Sequence, residues 1–105
     1  MKFVNLCPHD ILLNNGTVLK RSGEVARVNV SFGEFDSNGI CSQKFGEIQG
    51  LGPEIAGVKY VVSALVLAAA IKAGRADCVA PATGHPDCKG DIEGRIVSVP
   101  GFVIS

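Results

Sequence analysis

Val58-Lys59-Tyr60-Val61-Val62-Ser63 followed by Ala64-Leu65-Val66-Leu67-Ala68-Ala69-Ala70-Ile71-Lys72-Ala73-Gly74 is the stretch that decides the fold. Its first part, Val58 to Ser63, is dominated by β-branched and aromatic residues and reads as a strand. Ser63 stands where a helix N-cap belongs, since its hydroxyl accepts from an orphan amide of the first turn. A helix is predicted over Ala64 to Ala73, with Lys72 in its last turn and Gly74 as its stop. Only Lys72 is polar in that helix, so it lacks the solvent face of a surface helix and is predicted to be buried. A chain of 105 residues has little material with which to cover it on all sides. The alanines at 64, 68, 69, 70 and 73 admit close approach of a neighbouring backbone. The expectation is a homo-oligomer joined through this apolar helix.

Towards the N-terminus, Lys2 to Leu6 reads as a first strand, and Pro8 breaks it because it has no N–H to donate. Ile11 to Leu13 and Thr17 to Lys20 flank Asn14-Asn15-Gly16, a tight-turn signal. Ser22-Gly23 turns the chain into a half-buried strand over Glu24 to Val30, where apolar residues lie between Glu, Arg and Asn. Ser31 to Gly57 is rich in Gly, Ser and acidic residues. It reads as one or two edge strands around loops, with apolar pieces at Gly39 to Cys41 and Phe45 to Leu51. Beyond the helix come a short strand over Cys78 to Ala80, a loop from Pro81 to Gly90, and strands over Arg95 to Val99 and Phe102 to Ile104. The predicted fold is α+β: one domain over residues 1–105, a mostly antiparallel sheet carrying one buried apolar helix.

Lys and Arg number 10 and so do Asp and Glu, which leaves no positive excess for duplex nucleic acid or an anionic membrane. The longest apolar run, Tyr60 to Ile71, is well short of the roughly 20 residues of a membrane span. No secretory leader is read at the N-terminus, so a soluble, cytoplasmic protein with free thiols is expected.

Several side chains have chemistry worth locating. Cys7, His9, Cys78, His85 and Cys88 are residue types that zinc prefers, but no pair of CxxC-type knuckles is present, and free thiols with no metal are the expected state. His9 and Asp10 beside Cys7 raise the question of a nucleophile with a base. Adjacent residues of an extended chain point to opposite faces, however, and a local turn is the simpler reading. Arg27, Arg75 and Arg95 offer planar donor forks suited to phosphate or carboxylate. For Arg75, a contact with Asp77 or with the helix C-terminal carbonyls competes with ligand binding. Thr83 and Gly84, in a loop bounded by Pro81 and Pro86, offer a hydroxyl and backbone donors to an anion. No Walker-type or dinucleotide-type glycine pattern occurs, and no cofactor is expected.

Asn5-Leu6-Cys7-Pro8-His9-Asp10-Ile11 resembles the Asn-Leu-Thr-Pro-His opening of a family of small phage and prophage accessory proteins. Further pieces match in order: Ser22 to Val28, Phe45 to Leu51, Tyr60 to Val66, Arg75-Ala76-Asp77 with Pro81, and Gly94-Arg95-Ile96-Val97. The sequence departs from the pattern in having Cys7 where Thr is usual, in a longer Gly-rich middle, and around His85. The resemblance implies viral origin and a host-cytoplasm setting; the family's functions are mostly unassigned.

Three functions follow as expectations. The first is a binding protein that sequesters a nucleotide-like signal of bacterial anti-phage defence, using His9, Arg27, Arg75, Asp77, Thr83 and Arg95, with Phe32, Phe45 or Tyr60 as an aromatic wall. The second is an inhibitor that binds a host defence or regulatory protein. The third is a small enzyme acting on a nucleotide or amide, with His9, Asp10 and Asp77 as acid–base groups.

Overall fold

The computed structural model of the chain describes residues 1–104. Val58–Val61 forms strand β6 and Ala64–Lys72 forms helix α1, as their sequence predicts, and Cys78–Pro81 forms β7. Ser63 caps the helix, its hydroxyl oxygen accepting from the Val66 amide at 3.3 Å. At the other end Gly74 adopts φ +84°. That left-handed turn lets Gly74 donate to Ile71 at 3.0 Å and Arg75 donate to Ala70 at 2.9 Å, a Schellman closure of the last carbonyls. A helical crossover brings the chain back in its starting direction, so β6 and β7 pair in parallel.

Lys2–Asn5 forms β1, which pairs in parallel with the other side of β6. Phe102–Val103, β10, adds to β7 antiparallel and completes a four-stranded sheet of order β1-β6-β7-β10. The remaining strands form antiparallel ribbons: β2 (Ile11–Leu12) with β3 (Val18–Leu19), β4 (Arg27–Phe32) with β5 (Gln43–Gln49), and β8 (Lys89–Gly90) with β9 (Ile96–Ser98). The expected mostly antiparallel sheet is therefore found in the ribbons, while the sheet carrying the core rests on two parallel pairings. The β–α–β succession in the sequence is the physical reason.

Side chains alternate across the central sheet. Tyr60, Val62, Cys78 and Ala80 meet Val66, Leu67 and Ala70 of the helix on one face, with Leu6 and Ala26 completing the cluster. Val61 and Val79 point to the other face, where Ile11 and Val99 cover them. The helix is buried along one face only. Val66, Leu67, Ala69 and Ala70 are enclosed, but Leu65 and Ile71 remain 45% and 46% exposed.

Of the one or two edge strands read in residues 31–57, one forms, β5, and β4 with β5 makes an arm that lies along α1 before projecting past it. Gly50, at φ +80°, turns the chain out of β5; a Cβ there would lie 2.6 Å from the Val25 carbonyl oxygen. The last two strands do not pair with one another across Pro100-Gly101, since β9 joins β8 and β10 joins β7.

Asn5 is 1% exposed at the end of β1. Its amide nitrogen donates to the His9 and Leu19 carbonyls, each at 3.0 Å. Its amide oxygen accepts from the Cys7 amide at 2.9 Å. One side chain thus folds the Cys7-Pro8-His9 turn back on itself and ties it to β3. Replacing it by alanine strands these buried groups. We expect Asn5→Ala to cost about 2–4 kcal/mol in urea denaturation, with little change in the slope of the transition. A loss below about 1 kcal/mol would show that water replaces the amide freely.

Candidate functional site

Ligands of open sheets with parallel strands settle outside the strands' carboxyl ends, where the connecting loops diverge. Here that edge gathers the Cys7-Pro8-His9-Asp10 turn after β1, Ser63 after β6, and Ala82-Thr83-Gly84-His85 after β7. Three grooves open there. One, of about 240 Å³, is lined by Cys7, His9, Asp10, Pro81 and Thr83, with Ile11, Leu12 and Ile96 to Val99 as its apolar wall. A second, of about 380 Å³, runs from Cys7 and Pro8 along Arg27 and Asn29 to Ser63 and Leu65. The third, of about 540 Å³, lies between Ala64, Ala68 and Ile71 of the helix and the loop carrying Thr83 and His85. Cys7 borders the first two, and Pro81 and Thr83 border the first and third.

His9 and Thr83 therefore share one groove and Arg27 lies in the next. Among the described residues, the His9 imidazole, the Thr83 hydroxyl and the Arg27 guanidinium make no hydrogen bond or ion pair within the chain, and all three residues are exposed. These donors are unspent. Asp10 differs, because its carboxylate accepts from the Arg21 amide at 2.8 Å and shapes the turn.

Arg75 and Asp77 face each other elsewhere. Asp77 precedes β7 and so lies at the amino end of the sheet, opposite His9. Arg75 donates from Nε and Nη2 to the two Asp77 carboxylate oxygens at 2.9 and 2.8 Å, and from Nη2 to the Gly52 carbonyl at 2.8 Å. Glu54 approaches Arg75 Nε at 3.4 Å. The Arg75 hydrogen bonds hold the Asp77 carboxyl below its ordinary range, and the Asp77 carboxylate raises the Arg75 guanidinium in turn. The Tyr60 hydroxyl donates to the Pro53 carbonyl at 2.9 Å, so the pair and Tyr60 together clamp the 50–57 loop. Arg75 and Asp77, expected as ligand residues, serve as an internal strut. Arg95 is also separate, at the β8–β9 turn, where it pairs with Asp91 at 3.3 Å and Glu93 at 2.6 Å.

The acid–base trio of His9, Asp10 and Asp77 is not assembled, because Asp77 sits at the wrong end of the strands. The aromatic wall is missing from the grooves too: Tyr60 is in the core, Phe45 lies under the Lys72 ammonium at 5.9 Å, and Phe32 is 67% exposed on the arm. Aliphatic side chains line the grooves instead.

All four cysteines are free. Burial, reinforced by Asp77, pushes the Cys78 thiol up to about 11, and burial raises Cys7 as well. Neither has the depressed thiol of an activated nucleophile. The Cys7 Sγ faces the Val61 carbonyl at 3.7 Å, and the Cys88 Sγ the Ser98 carbonyl at 3.4 Å. His85 Nδ1 accepts from the Asp87 amide at 3.0 Å. Among the described residues, no three His, Cys, Asp or Glu side chains are grouped to hold a metal ion. No helix among them is long and apolar enough to cross a membrane.

Asn29, Ser63 and Pro81 border the grooves but were not expected as site residues; Ser63 and Pro81 were read only as a helix cap and a loop boundary. The strand–helix–strand succession over residues 58–81 is the signal from which this edge could have been read, but the sheet was expected to be mostly antiparallel. No family model, curated protein or solved structure matches the chain.

The strut predicts a pH dependence. Asp77 is depressed in the folded state, so its contribution is complete above the ordinary value of 3.8 and is lost as pH falls through the lower folded value. Asp77→Asn should cost about 2–3 kcal/mol at neutral pH, and its melting curve should approach that of the unmodified chain as the pH falls below 3.8. A gap that stays constant as the pH falls further would remove the carboxylate from the account.

Proposed function

We propose that the chain is a non-catalytic binding protein that captures a small, phosphate-bearing, nucleotide-like molecule at the carboxyl ends of β1, β6 and β7. One observation carries this: His9, Thr83 and Arg27 stand unspent at the meeting of grooves on the sheet edge where ligands of such sheets collect. An Arg fork suits phosphate oxygens, a hydroxyl and an imidazole supply directional bonds, and Ile11, Ile96, Val97 and Val99 give apolar contact to the remainder. Capture is stoichiometric and needs no acid–base pair. The resemblance of the Asn5 to Ile11 opening to phage accessory proteins makes a bacterial anti-phage signal the ligand class, and sequestration in the host cytoplasm the role.

A second reading is an inhibitor that binds a host protein. It is favoured by the β4–β5 arm, which exposes Phe32, Phe35 and Ile40 at 67%, 73% and 64%. Aromatic side chains presented on a projecting ribbon suit a protein groove better than a small molecule.

The protein purified from a bacterial lysate should carry an added mass of several hundred daltons in native mass spectra that is lost on denaturation. The double variant Arg27→Ala, Thr83→Val should lower occupancy at least about tenfold, equivalent to about 1.4 kcal/mol, with the fold intact by circular dichroism. No added mass, together with no binding of a nucleotide panel by calorimetry, would sink the capture reading. Full occupancy in the double variant would move the site elsewhere.

A further inference from the structure

We propose, resting on the capture reading above, that the ligand of the carboxyl edge is one-ended. Its single phosphate lies on Arg27 in the groove of about 380 Å³, and the hydroxyl or amino groups of its other part lie on Asp10 in the groove of about 240 Å³.

The two grooves meet at Cys7 and differ in charge. Among the described residues, Arg27 alone is charged in the lining of the larger one, and Asp10 is the one carboxylate in the lining of the smaller. Main-chain bonds hold both in place. The Ala26 amide donates to the Leu6 carbonyl at 3.0 Å, which sets Arg27 beside the Cys7-Pro8 turn, and Ala26 itself is buried in the core. Asp10 Oδ1 accepts from the Arg21 amide at 2.8 Å. Among the described residues, Asp10 Oδ2 receives no hydrogen bond and the carboxylate makes no ion pair. One oxygen therefore shapes the turn, and the other is left to the groove.

Ligand pockets measure about 300–1,000 Å³. The Asp10 groove, at about 240 Å³, falls short of that and holds part of a ligand, whose remainder lies across Cys7 in the groove of about 380 Å³. Charge decides which part goes where. A carboxylate oxygen only accepts, so Asp10 Oδ2 binds a hydroxyl or amino group and repels a phosphate oxygen. His9 and Thr83 add donors beside it, and Ile11, Val97 and Val99 contact the apolar body of the ligand. A guanidinium only donates, and its fork matches phosphate oxygens. Asn29 and Ser63 line the same groove and supplement Arg27. A ligand with a second phosphate at its far end would set that phosphate against Asp10.

Calorimetry with adenosine, guanosine, cytidine and uridine, their 5′-monophosphates and their 3′,5′-bisphosphates tests this polarity. At least one monophosphate should bind at least about tenfold more tightly than its bisphosphate. Asp10→Asn keeps an oxygen for the Arg21 amide and replaces Oδ2 by an amino donor, so the turn should survive by circular dichroism. It should abolish the preference for the monophosphate over the bisphosphate. Asp10→Ser, which also removes the charge, supplies a second variant if the first fails to fold. Arg27→Ala should weaken the monophosphate at least about tenfold more than the bare nucleoside. Equal binding of mono- and bisphosphate by the unmodified chain overturns the proposal, as does a preference that both Asp10 variants leave unchanged or an equal loss of monophosphate and nucleoside in Arg27→Ala. In those cases capture stands and the polarity alone falls. A chain that binds none of these compounds also overturns the proposal, and whether capture survives is then read from the added mass in native spectra.

Discussion

The contact of Val66, Leu67 and Ala70 with Tyr60, Val62, Cys78 and Ala80 is the constraint on which the rest depends. Helix and strands are consecutive in the chain, so their packing fixes β6 and β7 as parallel neighbours. Once these run in parallel, the turns after them emerge at one edge, and β1, also parallel, delivers its Cys7-Pro8-His9 turn to the same place. The amino edge receives the Arg75–Asp77 strut. Binding groups and bracing groups are segregated by strand direction rather than by local sequence.

Much of this was legible in the residues. The strand, cap, helix and Gly74 stop lie where the 58–74 stretch places them, because each depends on short-range physics: β-branching, a side-chain oxygen at the N-cap, and a positive φ. The Asn14-Asn15-Gly16 hairpin is legible for the same reason. Arg75 and Asp77 are two residues apart, and the competing local contact weighed for them is the one formed.

What was not legible depends on distant partners. Asn5 reads as an ordinary polar residue in a strand, since nothing local indicates that the His9 and Leu19 carbonyls will meet its amide. The pairing of Gln43–Gln49 with Arg27–Phe32 spans a Gly- and Ser-rich stretch with weak alternation, so which strand the 43–49 segment joins was not readable. That the helix lacks cover on all sides was readable from chain length, but which of its faces the sheet takes was not, because composition does not say where the strands lie. Among the site residues, His9 and Thr83 converge although they are far apart in sequence. Arg95, chosen by residue type alone, is drawn off by acidic neighbours at a hairpin turn.

The bonds of Asn5 all go to main-chain atoms: the Cys7 amide and the carbonyls of His9 and Leu19. The shape of the turn is therefore indifferent to which side chains positions 7 and 9 carry. The Cys7 thiol points at the Val61 carbonyl and rests against the Ile11, Val61, Val79 and Val99 cluster, a role that asks for size rather than for sulfur chemistry. Scaffold and specificity are thus written in different letters of the same short word. Evolution can rewrite what the edge recognises, one residue at a time, without reopening the question of how the chain folds.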